Sequence, residues 1–129
     1  MDRPTEEWRD LSPDEKDLVG NLMKNDFPGR DGIAKQIEHA KVRMLDIPVL
    51  QFRVDIGEKV DVVHSIPVEA ACADLDGITI HTLLHVSHGV VQEIEFYKDD
   101  GSPILKMPEG KQFRQIFFQT PTQIEHKSL

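Results

Sequence analysis

DLDGITIHTLLHVSHGVVQEIEFYKDDGSP, residues 74–103, decides the fold of this chain. Apolar and polar side chains alternate along two runs of this segment, and glycine turns stand before, between and after them. Alternation with a period of two is typical of a strand that buries one face, and a short glycine-containing link favours a hairpin. The segment therefore predicts two long antiparallel strands with one apolar and one polar face.

The length of the loop in this hairpin determines which side chains face each other across the strands. A two-residue loop, His88-Gly89, would place Leu84 opposite Glu93, an apolar side chain against an acid. A three-residue loop over 87–89, with Gly89 in the left-handed region of a bulge, keeps one face apolar, and we prefer it. The resulting pairs are Val86 with Val90, Thr82 with Ile94 and Ile80 with Phe96.

This register also fixes the polar face of the hairpin, which we expect to point to solvent. His81 would lie opposite Glu95, and His85 would lie opposite Val91 with Glu93 diagonal to it. Contacts of this kind between histidine and glutamate on neighbouring strands are ordinary stabilising pairs. A structural role is therefore the first interpretation of the pattern.

Two helices are predicted ahead of the strands. Ser12, Pro13 and Glu15 supply an N-cap, a proline at the first helical position and a capping-box glutamate. A second, shorter helix is predicted to start near Asp31, and from Val42 the apolar period changes to two. Helices followed by strands are typical of the α+β class. We expect two N-terminal helices packed on one face of a roughly five-stranded antiparallel meander sheet, with an extra C-terminal element.

The length of 129 residues fits a single domain, 1–129, with a core over 8–108. The C-terminal part differs in composition from the rest. Residues 101–129 carry four basic and two acidic side chains, a net of +2, whereas residues 1–100 carry 11 basic and 21 acidic ones, a net of -10. The segment 109–129 also holds three phenylalanines, and we expect it to dock on the sheet or to form a homodimer contact.

The composition limits the classes of binding partner and the cellular compartment that we expect. A net charge of -8 disfavours nucleic acid and anionic membranes, and it favours a protein with a basic surface. We expect no cofactor, because the sequence has no phosphate-binding glycine loop, no Cys-x-x-Cys pair and no Rossmann pattern. Cys72 is the one cysteine and is expected to be a small buried side chain. These features indicate a cytoplasmic protein without a membrane span.

The polar face of the predicted sheet supplies the candidate site. Two histidines four residues apart on a strand are separated by ~13 Å, too far to share a metal with bonds of ~2 Å, so we assign no metal ligands. Paired glutamates on one strand face are compatible with acid–base work but are more typical of a solvated surface. We assign no catalytic residues. The predicted partner-binding residues are Glu69, His81, His85, Glu93 and Glu95.

Several stretches of the chain are similar to a family of small, mostly bacterial single-domain proteins of unknown function. The resemblance covers about residues 5–108 and implies a compact single domain, without implying an activity or catalytic residues. Such domains resemble immunity-type and other accessory binding proteins. The stretches that carry it are Trp8–Glu15, Asp26–Asp31, Gln36–Arg43, Ile66–Glu69, Asp76–His85, Glu93–Tyr97, Asp100–Pro103 and Pro108.

Three hypotheses for the function remain. The first is a non-enzymatic protein-binding module, immunity-like in its use, that engages a basic partner through the predicted sheet face, with the exposed acids of the helices as the alternative surface. The second is a small-molecule or metal-binding domain that uses the histidines and glutamates of the same face. The third is a small hydrolase or isomerase, for which the sequence shows no nucleophile–base pair.

Overall fold

The computed structural model describes residues 7–46, 48–55, 59–62 and 64–118. These described residues form two α-helices and six strands, and they confirm the α+β class. No helix in the described part of the chain is long and apolar enough to cross a membrane. The elements are α1 (Pro13–Leu22), α2 (Arg30–Glu38), β1 (Lys41–Met44), β2 (Val49–Arg53), β3 (Val68–Ala73), β4 (Thr79–Ser87), β5 (Val90–Lys98), a 3-10 turn (Gly110–Gln112) and β6 (Gln115–Phe118).

The strands form one antiparallel sheet in the order β1-β2-β5-β4-β3-β6. Strands β3, β4 and β5 follow one another as a meander, but β2 lies beside β5, so the whole sheet does not have the predicted meander order. The β1–β2 hairpin extends the sheet on one side. On the other side β6 pairs with β3 and supplies the additional C-terminal element, while the rest of the predicted C-terminal segment, 119–129, lies outside the described residues.

Helix α1 begins where the capping residues predict. The Ser12 hydroxyl accepts a hydrogen bond from the Glu15 amide at 3.2 Å, and the Glu15 carboxylate accepts one from the Ser12 amide at 2.8 Å. Both halves of the capping box are therefore present. The apolar side of the helix, including Leu18 and Leu22, is buried against the same sheet face that holds Ile80, Leu84 and Ile94. This face, with the two helices over it, is the core of the protein.

The β4–β5 hairpin departs from the predicted register. His88 and Gly89 have positive φ angles of 53° and 78°, which is the conformation of a two-residue type I′ turn. The three-residue loop is therefore wrong. The register then shifts at Val86, which faces Val91, and His85, which faces Glu93, so that Gln92 is an extra residue in β5.

The bulge explains why the two-residue turn was rejected on sequence grounds. Without it, Leu84 would face Glu93, whereas with it Leu84 faces Ile94, and both side chains are fully buried. Because the extra residue moves every later side chain of β5 by one position, Ile94 and Phe96 are buried on the same face as Val91 and the core face stays apolar. The observed pairs farther along are Thr82 with Phe96 and Ile80 with Lys98, in place of the predicted ones.

A buried glutamine fixes α2 to this turn. Gln36 is 1% exposed, and its side-chain amide donates to the Gly89 carbonyl and accepts from the Val91 amide, both at 2.9 Å. Gly89 also permits the close passage of a neighbouring segment, since a Cβ there would lie 2.9 Å from the Val60 carbonyl oxygen. Helix, turn and bulge are thus joined by polar contacts inside the core.

Candidate functional site

The side of the sheet that faces away from the helices is called the open face. Its centre is formed by the outward-pointing side chains of β3, β4 and β5, and no helix in the described ranges covers it. The structure places all five predicted partner-binding residues on this face. With their neighbours they are Glu69, His81, Leu83, His85, Glu93, Glu95 and Tyr97.

His81 does not face Glu95 as predicted but lies opposite Tyr97. The two rings stack with their centroids 4.6 Å apart and their planes 15° from parallel. His81 Nε2 is 2.6 Å from a carboxylate oxygen of Asp99, and Nδ1 is 3.4 Å from a carboxylate oxygen of Glu69. The two-residue turn and the bulge each shift the register of β5 by one residue. Together they bring Tyr97 opposite His81, where the sequence predicts Glu95, and place Asp99 next to it.

His85 lies opposite Glu93 rather than Val91, which corrects the second predicted pair. Its ring nitrogen Nε2 is 2.8 Å from a carboxylate oxygen of Glu95, the diagonal neighbour. The Glu93 carboxylate makes no hydrogen bond or ion pair with any residue that the structure describes. One glutamate of β5 is therefore engaged by a histidine, and the other presents its carboxylate to solvent.

The carboxylates of the open face create a negative potential around Tyr97. Partial burial together with the carboxylates of Glu69, Asp99 and Glu95 raises the pKa of the Tyr97 hydroxyl above its usual value. The shift has the sign expected for a group in a negative potential, since ionisation would add a further negative charge. Tyr97 is nevertheless 42% exposed, so an aromatic surface stands in the middle of the carboxylates.

The open face becomes basic toward β1 and β2. Arg43 lies over the Trp8 ring, with its guanidinium carbon 4.4 Å from the ring centroid, and Arg53 lies 5.4 Å from the same centroid. Arg43 also donates from Nε to the side chain of Gln51 at 2.8 Å. The sequence analysis did not predict this basic side of the open face. The alternation along β1 and β2 could have shown that Arg43 and Arg53 point outward. The face is therefore acidic at its centre and basic at one side.

A second cluster of charges lies at the end of the same hairpin, inside the protein. Lys98 Nζ is 2.9 Å from an oxygen of Asp74 and 2.7 Å from an oxygen of Asp76, and it donates to the Pro103 carbonyl at 3.3 Å. The Asp74 carboxylate also accepts hydrogen bonds from the backbone amides of Leu75, Leu105 and Lys106.

Internal partners satisfy this cluster. Burial alone would raise the pKa of Asp74, but hydrogen bonds from the Leu105 amide, from Lys98 and from the Leu75 and Lys106 amides lower it to about 2. The ammonium of Lys98 has three donors and contacts three acceptors. We therefore interpret the cluster as a structural link between the turn at 74–77, the end of β5 and the loop at 103–106, and not as a binding site. The Asp74–Gly77 turn itself was predicted and is confirmed, since the Gly77 amide donates to the Asp74 carbonyl at 2.9 Å.

The remaining candidate groups do not assemble into a metal site. Among the residues that the structure describes, no three histidine, cysteine or acidic side chains converge on a point where an ion could bind. Cys72 is buried, as predicted, and burial followed by the charge of Asp74 raises the pKa of its thiol. A thiol of this kind is a poor nucleophile and metal ligand.

Comparison with known proteins identifies a family. The model of a family described as "Domain of unknown function (DUF6984)" matches residues 8–108. No curated protein and no solved structure matches the chain. The matched region contains both helices, strands β1 to β5, the Lys98 cluster and the centre of the open face, and it ends before β6. Because the match spans well over half of the sequence, the chain belongs to the DUF6984 family.

Proposed function

We propose that this protein is a non-enzymatic binding module, immunity-like in its use, whose open face engages a basic surface of another protein. The observation that carries the proposal is the arrangement around Tyr97. An exposed aromatic ring stacks on His81 amid three carboxylates, and partial burial together with these carboxylates raises the pKa of its hydroxyl. Aromatic side chains at the centre of a charged patch are frequent anchors of protein interfaces.

The charged side chains of the open face are better placed to bind a partner than to stabilise the fold. The side chains of Glu69 and Glu95 are 32% and 39% exposed, and ion pairs at such positions contribute little to folding because water screens them. The Glu93 carboxylate has no partner among the described residues and can accept from an incoming arginine or lysine. A partner that excludes water from the patch would strengthen each of these contacts.

The basic side of the open face, at Arg43 and Arg53, would fix the orientation of a bound partner. A partner whose basic groups lie over Glu93 and Glu95 would bring its adjacent surface to Arg43 and Arg53. An acidic or carbonyl group at that point would be attracted, and a second basic group would be repelled. The open face therefore favours partners of mixed charge over uniformly cationic ones.

The proposal is tested with two variants of equal net charge. Glu93→Lys/Glu95→Lys reverses the open face, and Asp17→Lys/Glu38→Lys reverses two exposed acids of the helices. Both change the net charge from -8 to -4. The wild type is used as bait at ~50 mM salt, and the Kd of each captured and purified partner is then measured by calorimetry against all three proteins.

We expect reversal of the open face to weaken binding by at least ~30-fold and reversal of the helix acids by less than ~3-fold. Circular dichroism spectra and melting curves establish that each variant is folded. Equal affinity of the wild type and the Glu93→Lys/Glu95→Lys variant would exclude the open face as the interface. A loss of binding confined to the Asp17→Lys/Glu38→Lys variant would move the interface to the helices.

A further inference from the structure

The two edge strands of the sheet, β1 and β6, differ in how well they are protected from pairing with another chain. Beyond β1, the backbone of Arg9 pairs with that of Val42 through hydrogen bonds of 2.9 and 2.7 Å in the two directions. Charged residues, Lys41 and Arg43, also stand along β1. A covered and charged edge strand resists pairing with another chain.

Among the residues that the structure describes, none gives the edge at β6 these protections. Its sequence, Gln-Ile-Phe-Phe over 115–118, has no charged residue and no proline. One side of β6 pairs with β3, and in the part of the chain that the structure describes nothing pairs with the other side. Phe117 is 57% exposed, and an exposed phenylalanine on an open edge is a feature of strands that pair between molecules.

We propose that the outer edge of β6 is a homodimer interface, in which β6 of two copies pair antiparallel about a two-fold axis at Phe117. A two-fold axis perpendicular to the sheet gives antiparallel pairing and keeps the open faces of both copies on one side. The two Phe117 side chains then face each other directly. The six-stranded sheet becomes one continuous sheet across the dimer.

Charge favours β6 over the acidic remainder of the surface as the place where a second copy of this chain would dock. Residues 1–100 carry a net charge of -10, so most contacts between two copies would set carboxylates against carboxylates. Self-pairing of β6 avoids this cost, because all four of its residues are uncharged and the surrounding segment, 101–129, carries +2. Strand β6 also lies outside the region that the family model matches, 8–108, so this interface is an addition to the family domain.

The first test measures the mass of the full chain by light scattering during gel filtration. We expect the wild type at about twice 14.7 kDa and Phe117→Lys at 14.7 kDa. Residue 117 faces Glu69 on β3, so a lysine there gains a cross-strand partner and leaves the fold intact. The control is Leu105→Lys, which adds the same charge at a side chain that is 58% exposed, and it should remain a dimer. A monomeric wild type at ~100 µM or a dimeric Phe117→Lys variant would overturn the proposal.

The second test fixes the position of the axis. In a Cys72→Ala background, Phe117→Cys should form a disulfide-linked dimer under mild oxidation, because facing residues of an antiparallel pair have Cβ atoms close to the separation that a disulfide requires. Leu105→Cys in the same background is the control and should remain unlinked. Linkage of both variants to the same extent, or of the control alone, would refute pairing at Phe117.

Discussion

The two charged clusters of the β4–β5 hairpin have similar chemistry and different surroundings. Each places one nitrogen-bearing side chain between two carboxylates. The Lys98 and Asp74 side chains are 1% and 0% exposed, whereas those of His81 and Asp99 are 20% and 57% exposed. The first cluster lies inside the protein and the second on the open face.

The difference shows that buried charged side chains hold the fold together, whereas exposed ones are available to a binding partner. Every donor of Lys98 has an internal acceptor, and three backbone amides complete the shell of Asp74. On the open face, by contrast, the side chains of Asp99 and Glu95 are 57% and 39% exposed, and the Glu93 carboxylate makes no ion pair with any residue described. Breaking the buried cluster should therefore affect folding, and breaking the exposed one should affect recognition alone.

The largest effect is expected for Lys98→Met. The substitution keeps the length of the side chain but leaves the buried carboxylate of Asp74 and the partly exposed carboxylate of Asp76 without their cation. Breaking a buried ion pair on one side is strongly destabilising, and we expect the melting temperature to fall by about 10 °C or more. Differential scanning calorimetry measures the change.

Two further variants show whether the unpaired charge is the cause. Lys98→Met/Asp74→Asn should recover part of the loss, because one of the two carboxylates is removed. Lys106→Met, which removes an exposed lysine, should melt within a few degrees of the wild type, since exposed ion pairs contribute about 0–1 kcal/mol. Equal destabilisation by Lys98→Met and Lys106→Met would show that burial does not distinguish the clusters.

Acid should weaken the buried cluster in a defined window. The pKa of Asp74 is lowered from 3.8 to about 2 in the folded protein. A carboxyl group with a depressed folded pKa adds stability above its unfolded pKa, and this contribution is lost as the pH falls from 3.8 toward 2. The free energy of unfolding from urea titrations should therefore decline less steeply over this window in Asp74→Asn than in the wild type.

The sequence was sufficient for the elements that depend on local signals. Ser12, Pro13 and Glu15 predicted the start of α1, and alternation with glycine turns predicted β4 and β5. The register of the hairpin was not predictable in the same way. It depends on an extra residue, Gln92, whose position is stabilised by Gln36 through the Val91 amide next to it. Gln36 is far from the hairpin in sequence, and a polar residue in a helix is expected to be exposed.

The same limit applies to the candidate site. Alternation placed Glu69, His81 and His85 on one face, and the structure brings them there. The partners of each histidine were wrong because they follow from the register. Lys98 was missed because a lysine at the end of a strand is normally solvated, and its acceptors come from the separate turn at 74–76 and from Pro103.

The smallest effect on stability is expected for His81→Asn and His85→Gln. Each variant removes a partly exposed contact between a histidine and a carboxylate, and the ordinary value of such a contact is below about 1 kcal/mol. The midpoints of urea unfolding should therefore remain close to that of the wild type. A loss above ~2 kcal/mol in either variant would mean that the open face also supports the fold. If both variants keep their stability and yet weaken partner binding, the histidine–carboxylate pairs of the open face serve recognition, and the contrast with Lys98 is one of function as well as of burial.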